Sequence, residues 1–149
     1  QSQWREGKVS KIYLAWVEGQ TGWQDWTLVE DRLQQTVSRR KVKSTRTVMA
    51  QSRIRTLKRI QGCSLVAVQL LTGRKHQIRI QLSKRGHPVL GDKKHGGQSS
   101  GQGLLLHACH LSWQRRSFTL EPPWKKAYAV DQGLLAQILD QLQSSGMSQ

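Results

Sequence analysis

The densest chemistry in this sequence lies between Thr72 and Asp92, which reads TGRKHQIRIQLSKRGHPVLGD. An apolar run from Ser64 to Leu71 ends at Thr72-Gly73, and Arg74, Lys75, His76 and Arg79 follow closely. Ile78 and Leu82 stand four apart, so Arg74 to Arg85 reads as a short helix with those basic side chains near its start. A helix N-terminus carries partial positive charge, and flanking cations make it a natural place for an anion. Arg79, set between Ile78 and Ile80, is the sharpest of these residues. A guanidinium among apolar neighbours needs a carboxylate or phosphate, so Arg79 is either an anion clamp or half of a structural ion pair. Gly86 would end the helix, with Pro88 two residues beyond.

A second set of cations lies upstream. From Ser52 to Ile60, strand alternation puts Arg53, Arg55 and Arg59 on one side with Leu57, a stripe that could track a phosphate backbone. It closes a basic run from Arg39 to Arg59, which is either a solvated face or an RNA track. The 149 residues hold 24 Lys+Arg against 9 Asp+Glu, a formal charge of +15, and the pI is near 10.8. Neutralising phosphates releases counterions, so a polyanion is the expected partner. No metal is expected: alternation puts His107 and Cys109 on one face and His110 on the other, and no CxxC pair supports them. His76 and His87 read as hydrogen-bonded structure rather than general bases. Tyr13, taken alone, reads as core.

These residues need a scaffold, and length and composition allow one domain with its own core: 36% of residues are hydrophobic. No apolar run approaches the ~20 residues of a membrane helix. Two cysteines, Cys63 and Cys109, suit reduced thiols and a cytoplasmic setting. Lys11 to Val17 alternates as a strand, with Ile12, Leu14 and Trp16 on one face and Tyr13, Ala15 and Val17 on the other. Trp23 to Val29 is a weaker strand, and Asp31 to Met49 reads as an extended polar excursion with short strands. Ser64 to Leu71, apolar on both faces, suits a central strand covered from both sides. Pro88 to Leu90 is a short extended piece, and the Gly/Ser-rich His95 to Gly103 reads as a mobile loop. Leu104 to Trp113 and Ser117 to Leu120 are strands joined by a basic turn. Asp131 to Leu142 is an amphipathic helix with Asp131 as its cap, and Trp124 reads as a lid on the core. The prediction is an α+β domain.

The motifs also resemble a known family. Gly73 to Arg79, followed by Gly86-His87-Pro88-Val89-Leu90-Gly91-Asp92, is similar to the third conserved motif of the RluA-type pseudouridine synthases. Lys11-Ile12-Tyr13-Leu14-Ala15 resembles the Lys-x-Tyr-x-Ala motif of that family, and Leu106-His107-Ala108 with Pro122-Pro123 resembles its last core strands. Order and spacing fit from about residue 8 to 124. The resemblance implies a pseudouridine-synthase-like mixed or antiparallel sheet with flanking helices. It also implies isomerisation of uridine to pseudouridine in RNA without cofactor or metal, by an aspartate that attacks the bound nucleotide. Arg79 would pair with that aspartate, Tyr13 would stack on the target base, and Ile78 would pack beside the site. Arg74, Lys75, Arg53, Arg55 and Arg59 would contact the RNA, ribosomal RNA before transfer RNA.

One element of the family pattern has no counterpart. The nucleophile of these enzymes lies in a His-Arg-Leu-Asp motif upstream of the Lys-x-Tyr-x-Ala strand. Of the five aspartates here, Asp25, Asp31, Asp92, Asp131 and Asp140, none stands in such a motif. Gln81 stands where many relatives carry His. The expectation is a fold incomplete at its N-terminal side. Residues 1–142 would form the C-terminal portion of a catalytic domain, 143–149 a disordered tail, and the chain would be inactive alone and monomeric when complete. Exposed apolar surface and an open sheet edge should accompany it. A non-catalytic RNA-binding module derived from such an enzyme, or an assembly protein on ribosomal RNA, would share the composition.

Overall fold

The computed structural model describes residues 9–144, in which six antiparallel strands form one sheet. In chain order these are β1 (Val9–Glu18), β2 (Thr27–Arg39), β3 (Val42–Ile60), β4 (Cys63–Leu70), β5 (Leu106–Trp113) and β6 (Arg116–Thr119). Among the described residues two α-helices, α1 (Gln77–Lys84) and α2 (Gln132–Ser144), accompany the sheet in an α+β fold. The spatial order is β2-β3-β4-β1-β5-β6, so β1 runs through the middle, paired with β4 on one side and β5 on the other.

The alternation of β1 has the expected outcome. Ile12, Leu14 and Trp16 join Leu65, Ala67, Leu135 and Ile138 in a buried cluster under α2. Ala15 and Val17 join Val66, Val68, Ile78, Leu82 and Val89 in a second cluster under α1. β4 is therefore covered on both faces, which its continuous apolar sequence requires. Each buried aliphatic side chain contributes roughly 1.5–3 kcal/mol. Asp131 caps α2 by accepting the Leu134 N–H at 2.8 Å. Trp124 is buried against His107 in an edge-on ring contact at 6.3 Å, the lid expected of it. The helix runs to Ser144; residues 145–149 of the expected tail lie outside the described residues.

Three expectations are corrected. Asp31 to Met49 is extended as expected but not broken into short strands: β2 and β3 pair without interruption from Thr27↔Ile54 to Arg39↔Val42. They are joined by Arg40-Lys41, both in the left-handed region with φ 47° and 66°. Two residues at positive φ make the tight turn that matches strand twist, a role usually taken by Asn-Gly. Because β4 joins β3 only from Ser52 onward, the outer part of this pair stands alone as a two-stranded ribbon. It is exposed and carries Arg39, Arg40, Lys41, Lys43 and Arg46, with no acidic residue from 34 to 47.

The second correction concerns the cationic stripe. The β3–β4 register shifts between Thr56 and Lys58, so Leu57 is an extra residue. Arg53 and Arg55 pair with Gln69 and Ala67 on the α2 face, whereas Arg59 pairs with Ser64 on the α1 face. A bulge reverses the alternation beyond it, so the three arginines do not share a side. Arg55 is also buried.

Third, residues 95–103 are held rather than loose. Gly91 N–H donates to Gln98 O at 2.7 Å, Gly97 N–H to Asp92 O at 2.7 Å, and Gln98 N–H to Glu18 Oε2 at 2.6 Å. A Cβ on Gly91 would lie 2.0 Å from Gly103 O. Gly91 and Gly97 permit this close backbone approach, while nothing lies within 4 Å of a Cβ at Gly96, Gly101 or Gly103. β6 forms one edge of the sheet and leaves Phe118 and, just beyond the strand, Leu120 exposed.

Candidate active site

The site is built on α1, which begins at Gln77 rather than Arg74. His76 is the N-cap residue in a left-handed conformation, φ 54°, so Arg74, Lys75 and His76 precede the helix instead of lying in its first turn. The C-terminal end follows the sequence signal. Gly86, φ 82°, donates to Ser83 O at 3.0 Å and His87 donates to Leu82 O at 3.0 Å, a Schellman cap.

A buried amide network fixes this helix against the sheet. Gln81, fully buried, accepts from Ser52 Oγ at 2.6 Å and from Gln77 Nε2 at 3.4 Å. Its own Nε2 donates to Ala50 O at 3.2 Å and Val29 O at 3.4 Å. Gln77 donates to Gln51 O and Ser52 Oγ and accepts from Thr72 Oγ1 and the Arg74 N–H. Ile78 and Leu82 enter the core, while Ile80 covers Leu33, Val48 and Ala50 at the base of the ribbon. Arg79 is thereby placed at a fixed height beside the sheet.

Arg79 meets a carboxylate within the chain. Its Nε donates to Asp92 Oδ2 at 3.0 Å and its Nη2 to Asp92 Oδ1 at 2.7 Å, a two-point pair. His95 Nδ1 lies 3.0–3.1 Å from the same two oxygens. Burial alone would raise the Asp92 pKa, but the hydrogen bonds from Arg79 and His95 outweigh it and hold the carboxyl below its ordinary range. The Arg79 pKa is raised, chiefly by its bond to Asp92. His76 sits edge-on to His95 at 6.0 Å. Its pKa is lowered by desolvation and then by Arg79, Lys94, Lys75 and His95.

Tyr13 packs, partly buried, against the cluster that contains Ile78, with Trp23, Leu70 and Leu106 around the same cluster. Tyr13 and Ile78 thus share the α1 side of the sheet, and Arg79 follows Ile78 on the helix with its guanidinium on Asp92. Arg74 is tied to the ribbon by its Nε on Met49 O at 2.9 Å, and Lys75 is exposed. Arg59 donates to Thr21 O at 2.6 Å. His87 Nδ1 lies 2.8 Å from Glu18 O, a structural contact as expected. A register shift at Ile12/Tyr13 pairs His110 with Ile12 and His107 with Leu14, so both face α2 rather than opposite sides. Cys109 Sγ donates to Ile12 O, and among the described residues no group of three His, Cys, Asp or Glu could hold a metal.

Asp92 and His95 are the site residues that sequence reasoning missed as partners of Arg79. The available signal was chemical: an arginine flanked by isoleucines needs an anion, and Asp92 sits in the same motif with His95 three residues on.

Residues 1–84 match the family model described as RNA pseudouridylate synthase. Over 152 residues the chain is 28% identical to the ribosomal large subunit pseudouridine synthase C of Vibrio parahaemolyticus, covering 93% of this chain and 46% of that protein. It is 36% identical over 87 residues to the tRNA pseudouridine synthase C of Yersinia pestis, covering 50% of this chain and 33% of that one. Among solved structures, human RNA pseudouridylate synthase domain containing 1 matches with a TM-score of 0.69 at 22% identity, over 96% of this chain and 69% of the other. The chain spans less than half the length of these two curated relatives.

Proposed function

The chain belongs to the RNA pseudouridylate synthase family, and from that premise we propose that it supplies the arginine side of a centre that isomerises uridine to pseudouridine in RNA. The nucleophilic aspartate comes from outside these 149 residues, none of whose five aspartates lies in the family's His-Arg-Leu-Asp motif. It attacks the nucleotide, the glycosidic bond breaks, and the uracil turns and rejoins the ribose through carbon five, which loses its proton. Arg79 keeps that aspartate ionised and placed, since a guanidinium beside a carboxylate favours its charged form. Tyr13 stacks on the uracil after the nucleotide leaves its helix, and Ile78 walls the base. The reaction needs no cofactor or metal.

The observation that carries this reading is that Tyr13 packs against the cluster containing Ile78 on the α1 side of the sheet, with Arg79 next along the same helix. The exposed ribbon cations, with Arg59, Arg74 and Lys75, contact phosphates, whereas Arg53 faces α2 and is left out of that track. Arg55, being buried, supports the sheet instead. Ribosomal RNA is favoured over transfer RNA because the ribosomal relative matches along 93% of this chain and the transfer-RNA relative along 50%. A cytoplasmic monomer fits such a substrate, and no helix among the described residues is long and apolar enough to cross a membrane.

The test is tritium release from RNA carrying 5-tritiated uridine, with this chain and an upstream-extended chain side by side. Release by the extended chain alone supports the reading. Release by the 149 residues would place the nucleophile among their own aspartates. RNA binding without release by either would favour a non-catalytic module.

A further inference from the structure

Asp92 is held more firmly than a surface partner of Arg79 would need to be. Its side chain is fully buried. Its N–H donates to Val89 O at 3.0 Å, and its carbonyl accepts from Gly97 at 2.7 Å and His95 at 3.2 Å. A Cβ on Gly97 would lie 2.1 Å from Val89 O, so the loop closes around Asp92 only because that residue is glycine. Ser83 Oγ donates to His95 O at 2.7 Å and ties the loop back to α1. The carboxylate and the helix that carries Arg79 therefore form one braced unit.

The pairing is side-on. It uses Nε and one N–H of Nη2, and a guanidinium has five N–H donors. Among the described residues the two N–H groups of Nη1 and the second of Nη2 have no hydrogen-bond partner, and the Arg79 side chain is 19% exposed. The unused edge has the geometry for a second carboxylate.

We infer that Asp92 is a positioning residue: braced by His95, it takes the Nε side of Arg79 and turns the Nη1–Nη2 edge toward the nucleophilic aspartate. The inference rests on the function proposed above. Without Asp92 the guanidinium keeps its charge but loses its orientation, and misplacement of about 1 Å at a reacting group costs on the order of 100-fold in rate. The groups assigned to RNA binding, the ribbon cations with Arg74, Lys75 and Tyr13, make no bond to Asp92, so RNA affinity should not register the change.

Single-turnover tritium release with the upstream-extended chain in saturating excess over RNA tests this, with KM and RNA binding measured in parallel. Asp92→Asn is expected to lower the rate about 100-fold with KM and RNA affinity within twofold, and to abolish the slowly exchanging Arg79 Nε–H signal by NMR. Asp92→Glu should restore part of the rate. An unchanged rate with the NMR signal lost would make the pair purely structural and overturn the proposal; a raised rate would overturn it too, showing that Asp92 competes for Arg79. If Asp92→Asn does not fold, His95→Gln decides, with a several-fold loss of rate at constant KM expected and no loss overturning the idea. An inactive unsubstituted extended chain would instead sink the functional reading, and this inference with it.

Discussion

Ser52 on β3 and Gln81 on α1 are joined by a 2.6 Å hydrogen bond, and neither side chain reaches solvent. The bond links the strand that enters the ribbon to the helix that carries Arg79. Replacing Gln81 with Leu would take away the acceptor of the buried Ser52 hydroxyl, while Gln77 keeps Gln51 O and Ser52 Oγ and the Val29 and Ala50 carbonyls keep their ladder partners. An unsatisfied buried group costs about 1–3 kcal/mol, so Gln81→Leu should lose about that much. Gln81→His keeps part of the network and should cost about half as much. Urea midpoints of the two variants check the ranking, and equal midpoints would show that the network contributes little.

The Arg40-Lys41 turn places two non-glycine residues at positive φ. Exchange for Asn-Gly should stabilise the chain by about 1–2 kcal/mol and raise the melting temperature by a few degrees. The same exchange removes two ribbon cations, so RNA affinity should fall while stability rises. Thermal melts and RNA titrations on one sample separate these effects.

Alanine at Arg39, Lys41, Lys43 and Arg46 together should weaken RNA binding uniformly across sequences. The slope of log K against log salt should shrink by up to about 3 units, at roughly 0.7–0.9 per phosphate contact. Titrations between 50 and 200 mM salt measure it. An unchanged slope would remove the ribbon from the RNA interface.

Stability should fall with acid in two stages. The His110 pKa is lowered by burial, and that of His76 by desolvation and neighbouring cations. The unfolded chain therefore takes up those protons first, and stability declines as pH drops below the ordinary histidine value of 6.5. Asp92 and Asp31 lie below their ordinary value of 3.8: burial opposes this, but hydrogen bonds from Arg79 and His95, and from Arg85 and Gln81, prevail. Their contribution is present above 3.8 and is lost as pH falls through the depressed values. Denaturant midpoints at pH 7, 5, 4 and 3 should show a shallow slope, then a steep one, and Asp92→Asn should flatten the second.

Cys109 should resist thiol reagents in the folded chain. Burial pushes its thiol up to about 12, and it donates to Ile12 O from inside the core. Labelling should follow global unfolding rather than reagent concentration. Prompt labelling of Cys109 under native conditions would contradict the burial of β5.

Much of this arrangement can be read from residue order, and the rest cannot, for identifiable reasons. β1 and β4 are legible because one alternates cleanly and the other is apolar on both faces, and burial on both sides of the sheet demands those patterns. Gly86 signals the end of α1 because the left-handed cap favours glycine. The ribbon escapes notice because both its faces meet solvent, so no period marks it, and its turn lacks Asn or Gly. The Leu57 bulge is invisible because one extra residue leaves the composition unchanged while reversing every later side chain. For the site, Tyr13, Ile78 and Arg79 are visible through their motifs. The Asp92 pairing is not, because it depends on how a glycine-bearing loop folds back thirteen residues along the chain.

The position of β1 also sets an order of events in synthesis. It leaves the ribosome before the other five described strands, yet its partners on the β5 side lie 91 residues away at Ala15↔Leu106 and 104 at Val9↔Trp113. At about 5–20 residues per second, the strand bearing Ile12, Leu14 and Trp16 waits on the order of 5–20 seconds for that edge to be covered. The β2–β3–β4 meander can zip from local turns in the meantime, and β4 can dock one side of β1. The nascent chain should therefore depend on chaperones most during the interval between the emergence of β4 and that of β5.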